Sequence, residues 1–515
     1  MRPSFIVFIA KTHSISTKKP DNTLGETNMK PQHLEFLSPQ EIERLRTHTL
    51  EILENTGINV TLKKMRDLLA DHGCPVDESR KIVKFPSDLV ETFLQKAPSE
   101  FIICGADPAV RFPIGPDKRV WAGLGTAFRM LDVNNGSTTA ATHLDVEKHL
   151  ILFDHLENVS CNQMDIWAQD LPMHTIHVEA LRTGALNCTK SIGMGAYGVM
   201  ATGDMMEMVS MVMGGRDRLK ERHPFCGIVS IESPLSTTQA QLEGLMILGE
   251  HHMPALVSPE AMAGTTAPAP LAGLLLQHNA EIIAHVVMAQ IANPGTPVMY
   301  GTVSTIADMK SGFPALGSIE TGMISAASAQ LARSYDLPVR TVAGATESKL
   351  LDVQCGFERA QSMLLAAMGG ANYITSVGTL ESTNLGAHEM ALIDNEIIGR
   401  VERALAGIQI NDTLLACQDI QRVGPGGNYL LEPLTLEKFK SEHFIPSVSD
   451  RDPMEAWKAA GSKGIADHAQ AEVARILKEH KPKAPDAKLK QALDEYVESV
   501  RKRKVEDFEA AEWES

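Results

Sequence analysis

The chain predicts an α/β fold: a (β/α)8 TIM barrel with an N-terminal α+β cap and a C-terminal helical extension. Three observations lead there. Between residues 119 and 410, short β-like apolar runs alternate with longer segments of helical periodicity, eight times over. Strands separated by helices pair in parallel through right-handed crossovers, and eight such units close naturally into a ring. Outside that window the alternation stops. A length of 515 residues with 43% hydrophobic and 22% charged residues allows a large core and more than one domain. An open doubly wound sheet is the rival arrangement.

Residues 1–28 are expected to be a disordered extension. "MRPSFIVFIAKTH" holds Arg2 and a short apolar run from Phe5 to Ala10, too short for a secretory h-region. The cap spans 29–118. In "SPQEIERL", Ser38 is the N-cap, Pro39 sits at N1 and Glu41 at N3, a capping-box pattern, and Gly57 ends the helix. A second helix, Lys63 to His72, ends at Gly73. The β-like runs "KIVKF" and "FIICG" follow.

Within the 119–410 barrel, strands are expected at 119–125, 159–167, 188–195, 225–232, 254–258, 297–303, 338–344 and 372–378. Their helices fall at 144–156, 173–187, 203–213, 237–250, 271–292, 318–335, 349–369 and 388–408. The loop "TAFRMLDVNNGSTTAATH" has room for a hairpin. Residues 411–515 form the helical region, with charged helices at 454–479 and 486–508 that pack on the barrel or on a second subunit. A homo-oligomer is possible.

The formal net charge of −16 argues against nucleic acid, because phosphate binding needs a basic surface, and favours a cationic ligand. The seven cysteines are scattered and form no C-x-x-C pair, which fits buried thiols in a reducing compartment and predicts no metal site. No uninterrupted apolar run reaches the roughly 18–20 residues of a membrane helix, so a cytoplasmic protein is expected. "GMGAYG" (193–198) lacks the dinucleotide fingerprint. His174 and His177 share a helix face and are expected at the surface, while the methionines of 206–213 are expected in the core. P-loop, G-x-S-x-G and H-E-x-x-H patterns are absent from the sequence.

A barrel places its chemistry on the loops after the strands. Acids outnumber bases there, with Asp165 among them. Aromatics, only 5% of the chain, recur nearby. Carboxylates with aromatic faces suit a cation that has no proton to donate, a quaternary ammonium group. Glu260, the one charge in "SPEAMAGTTAPAPLAG", and Glu347, in "GATESK", are the carboxylates expected at the chemistry. Trp167, Tyr197, Tyr300 and Glu381 are expected to bind substrate.

Long stretches resemble the trimethylamine methyltransferase (MttB-like) family. They include "SPEAMAGTTAPAPLAGLLLQHNAEIIAHVVMAQIANPGTPVMYGT", "ALGSIETGMISAASAQLARSYDLPVRTVAG", "GANYITSVGTLES", "IDNEIIGRVER" and "DRDPMEAW", and the likeness covers about 33–480. The resemblance implies a TIM barrel and a partner protein whose cobalt corrinoid takes the methyl group, with no cofactor bound tightly by this chain. The founding enzymes carry pyrrolysine at a position that falls within 344–349, where only standard residues stand here. That departure points to the relatives resembling glycine betaine methyltransferases, and to glycine betaine or a related betaine or carnitine as substrate. Arg129, Lys349 and His388 are then candidates to hold the betaine carboxylate. A metal-assisted lyase or hydrolase and a non-catalytic betaine-binding subunit of a corrinoid protein are the alternatives.

Overall fold

The computed structural model describes residues 33–512 except Leu124, Met164, Asp165 and Ala484. The expected extension over 1–28 and the loop acid Asp165 lie outside the described residues.

Eight strands form the centre: β1 (Val120–Trp121), β2 (Cys161–Gln163), β3 (Ser191–Gly193), β4 (Gly227–Ile231), β5 (Ala255–Pro259), β6 (Val298–Thr302), β7 (Val339–Val342) and β8 (Tyr373–Thr375). A helix follows each in turn: α1 (His143–His155), α2 (Ile176–Asn187), α3 (Gly198–Met213), α4 (Gln239–Glu250), α5 (Leu271–Ala292), α6 (Ile319–Ser334), α7 (Val353–Met368) and α8 (His388–Leu405). The order β4-β5-β6-β7-β8-β1 is parallel throughout, and β2 pairs in parallel with β3. Single parallel bridges, Ala122–Cys161 and Gly195–Ile228, lie between β1 and β2 and between β3 and β4. The helix α3 begins at Gly198 rather than near 203, because the glycines at its start carry little helical signal. The loop after β1 does hold a hairpin, Arg129–Leu131 against Thr138–Ala140.

The main core fills the space between strands and helices. α5 is mostly apolar: an 18-residue window of it has mean hydropathy 1.3 and is 72% buried inside the protein, with His278, Asn279, Glu281, His285 and Gln290 buried as well. The N-terminal region supplies part of the cover: Asn279 of α5 donates to Thr49 Oγ1 (2.7 Å), in the helix Pro39–Asn55. That helix has the Ser38–Glu41 capping box. On the opposite face of the sheet, a separate apolar cluster joins Val120, Leu256, Met299 and Tyr373 to Phe101, Ile103 and Ile114. The last three belong to an antiparallel hairpin, Phe101–Cys104 with Arg111–Ile114. Six of the seven free cysteines are buried and Cys417 is exposed.

The C-terminal helices are fastened to α2 and α3 by charge. Asp204 receives Tyr496 Oη (2.7 Å), both Nη atoms of Arg503 (2.7 and 2.8 Å) and lies 2.9 Å from His177 Nε2. His174 and His177 are therefore buried rather than superficial, because helix Val505–Glu512 covers them and Phe508 stacks on His177. The segment 447–449 is pinned differently. The Glu396 carboxylate of α8 accepts from the backbone N–H groups of Ser447, Val448 and Ser449.

Candidate active site

Side chains alternate along a strand, so one set faces the helices and the other the opposite side of the sheet. In β5 and β7 the second set ends in Ser258, Arg340 and Val342, and Glu260 follows directly after β5. With Tyr197, Ser376 and the loops after β1, β6 and β8 they line a cavity of about 360 Å³ at the carboxyl ends of the strands. That is within the range of small-molecule sites, about 300–1,000 Å³.

Glu260 is exposed by surface area, but it exposes that surface to the cavity. Burial among protein atoms lifts its carboxyl above the ordinary range, and the Arg340 guanidinium pulls it part way back. Among the described residues its carboxylate accepts no hydrogen bond and joins no ion pair.

Arg340 is the cavity residue that sequence reasoning did not single out. It is 2% exposed. Its Nη1 donates to the Thr302 carbonyl (3.2 Å), while Nε has no partner among the described residues. Burial pulls the guanidinium down to about 10, against the opposing effects of Glu260 and Tyr373. Ser258 and Ser376 also line the cavity, and their buried hydroxyls have no partner among the described residues. The signal in the sequence was the lone charge in the apolar strand "PVRTVAG".

Aromatic rings close one side. Tyr197 lines the cavity and meets Trp167 edge-on at 6.0 Å. Its hydroxyl is pushed up to about 12 by burial, with the nearby Glu260 carboxylate adding to the effect. A Cβ on Gly195 would lie 2.3 Å from the Tyr197 ring, so glycine there lets the ring fold back over its own loop. Beyond Tyr197, a second cavity of about 300 Å³ is lined by Trp167, Met173, Ile176 and Phe508. Gly198 has φ +57, and its missing Cβ makes room for Glu512, whose carboxylate accepts from Met200 N and Ala201 N at the start of α3.

The other predicted residues are placed around this centre rather than in it. Glu347 accepts from Gly317 N (3.0 and 2.9 Å) and from Ser382 Oγ (2.9 Å), tying together the loops after β6, β7 and β8. Lys349 donates to the Glu347 carbonyl (2.7 Å). Glu381 pairs with Arg129, whose guanidinium lies 5.0 Å above the Phe128 ring. His388 lies 3.7 Å from Asp145, and burial lowers its pKa against that carboxylate's pull. Tyr300 points to the helix side of β6, fully buried, with its hydroxyl donating to Asn279 Oδ1 (2.9 Å).

The loop after β8 is held in unusual backbone. Ser376, Glu381, Ser382 and Thr383 all have positive φ (90°, 48°, 48° and 73°), a conformation that costs about 1–3 kcal/mol per residue and persists only where the surroundings enforce it. A buried ion pair supplies that enforcement. Arg359 of α7 and Asp394 of α8 are both fully buried. Arg359 donates to the Ser376 and Thr379 carbonyls, and Asp394 accepts from Gly378 N (2.7 Å).

The family model described as trimethylamine methyltransferase (MTTB) matches residues 9–506. The chain belongs to that family. As a trimethylamine methyltransferase family member it is 30% identical to a trimethylamine methyltransferase of Desulfitobacterium hafniense, over 90% of this chain and 93% of that one. It is also 30% identical to a glycine betaine methyltransferase of the same species, over 90% and 96%. A trimethylamine methyltransferase of Methanosarcina acetivorans shares 32% identity over 91% and 96%. Members with different named substrates are thus about equally near.

Proposed function

We propose that this family member moves a methyl group from a quaternary amine to the Co(I) corrinoid of a partner protein. The observation that carries the reading is Glu260, a carboxylate without a hydrogen-bond donor among the described residues, set beside the Tyr197 ring in a cavity at the strand ends. A quaternary ammonium has no N–H to donate, so it suits a carboxylate and an aromatic face at modest distance.

The transfer is an in-line displacement. The cobalt electron pair forms the new Co–C bond, the C–N bond breaks, and its pair stays on nitrogen, which leaves as a neutral tertiary amine. No proton is needed. Positive charge on nitrogen fades along this path, so a carboxylate gripping it tightly would favour the ground state over the transition state. This chain's work is to bind the cation, orient one methyl toward the cavity mouth and exclude water. The standard residues at 344–349 support a substrate that leaves without covalent activation by the protein.

The eight strands are read as a closed (β/α)8 barrel, supported by the bridges on both sides of the β2–β3 pair. The partner approaches over the loops at the carboxyl ends. Exposed Met309 and Phe313, on the loop after β6, and Val353, at the start of α7, support that side as the docking face.

The test supplies the protein with a reduced corrinoid protein and a panel of quaternary and tertiary amines, following loss of the Co(I) absorbance. Turnover with at least one quaternary amine is expected. Failure with all of them, under conditions where the corrinoid accepts methyl from a chemical donor, refutes the reading.

A further inference from the structure

Arg340 and Glu260 share one cavity, and no bond among the described residues explains why both are there. A buried guanidinium needs a counter-charge or a full set of acceptors, because desolvation otherwise costs several kcal/mol. Arg340 has one carbonyl among the described residues and an unpartnered Nε. Glu260 is near enough to moderate its charge but does not bond to it. Two buried hydroxyls on the same wall, Ser258 and Ser376, also have no partner. The cavity is therefore lined by a cation and a carboxylate that are not bonded to each other.

A simple tetraalkylammonium ion answers only half of this. It would face Glu260, leave Arg340 unpaired, and bring a second positive charge into the cavity beside it. An amine that carries its own carboxylate answers all of it. We infer that Arg340 is the specificity-determining residue of this site, and that it receives the carboxylate of a zwitterionic substrate whose trimethylammonium end faces Glu260 and Tyr197. The inference rests on the methyl-transfer reading for its choice of ligand. It replaces Arg129, Lys349 and His388 as carboxylate holders with a residue that faces the cavity.

Geometry favours Arg340 for the task. A guanidinium can present two N–H groups side by side to a carboxylate, and charge-assisted bonds of this kind are short and directional. Substrates lacking the carboxylate leave those groups unpaired, which is how a buried polar site rejects them.

The experiment is calorimetric titration of the intact protein, without partner, with glycine betaine, 4-trimethylammoniobutyrate, choline and tetramethylammonium. At least one carboxylate-bearing ligand is expected to bind about tenfold or more tightly than choline. Arg340→Met should collapse that ratio to near one, while Arg340→Lys keeps part of it. Circular dichroism melts on both variants establish that the fold persists. Choline binding the unaltered protein as tightly as both zwitterions would overturn the inference, as would a ratio that Arg340→Met leaves intact. The corrinoid assay separates the two ideas. Arg340-dependent zwitterion binding without methyl transfer refutes the methyl-transfer reading alone. Methyl transfer from choline at the betaine rate, indifferent to residue 340, refutes this inference alone.

Discussion

The protein buries two arginine–carboxylate sets close to the same loops, and it wires them in opposite ways. Arg359 and Asp394 are in contact and sealed from water, and each spends its remaining bonding capacity on the backbone of the loop after β8. Arg340 and Glu260 face a cavity, do not bond to each other, and leave donors and acceptors unused. The first arrangement is complete without a ligand and holds strained backbone in place. The second leaves bonding capacity open beside the cavity. Burial of charge is common to both, so burial alone does not mark a site; unfinished hydrogen bonding around a cavity does.

The largest effect should come from breaking the finished pair. Arg359→Met strands Asp394 in the core and is expected to cost about 3–5 kcal/mol, seen as a lower urea midpoint. Arg340→Met, the same substitution in the unfinished set, should leave the midpoint unchanged or raise it. Equal losses in the two variants would remove the distinction.

Glu260→Gln sharpens the contrast in the other direction. The folded-state pKa of Glu260 is raised by burial. Its contribution to stability is therefore greatest below the ordinary carboxylate pKa and falls as pH rises through the folded value. At pH 7 the charged carboxylate costs stability, so the glutamine variant should melt higher while binding a quaternary amine at least tenfold more weakly in calorimetry.

Glu396 tests the rule on a satisfied carboxylate. Burial pulls its pKa up, but the donors at Ser449, Val448 and Arg400 outweigh that and bring it to about 2, from an ordinary value of 4.5. Its contribution is present above about 4.5 and is lost as pH falls toward about 2. Glu396→Gln should flatten acid unfolding in that window and leave amine affinity unchanged. The smallest effect belongs to Tyr197→Leu, which removes an aromatic face and should weaken amine binding by about 1 kcal/mol, roughly fivefold.

Much of the framework was legible along the chain. The expected strand and helix stretches coincide with the eight described strand–helix units to within a few residues, except at the start of α3. The Ser38–Glu41 box and the hairpin after β1 were legible too, since both depend on neighbours in sequence. Glu260 and Tyr197, which line the cavity, were legible because each stands out from small or glycine-rich surroundings. Glu347 stands out in the same way, yet its oxygens are occupied by Gly317 and Ser382, which come from two other loops. No local pattern reports that. Tyr300 was misplaced for a simpler reason: one step of strand parity sends a side chain to the helices instead of the opposite face. Arg340 was overlooked by the complementary error, since its parity turns a lone strand charge inward.

The amino-acid sequence by itself determined where helices and strands fall, that they alternate, and which residues end them. Those choices follow from periodicity, capping and turn chemistry acting over a few residues. Tertiary structure alone decided which buried charges find partners and which are left facing a cavity. Pairing depends on strand register and on side chains that arrive from distant parts of the chain, and its energy depends on how much water remains around them. Glu260 and Glu347 are the same residue type in similar loops, and only their assembled surroundings separate a brace from a carboxylate left facing a cavity.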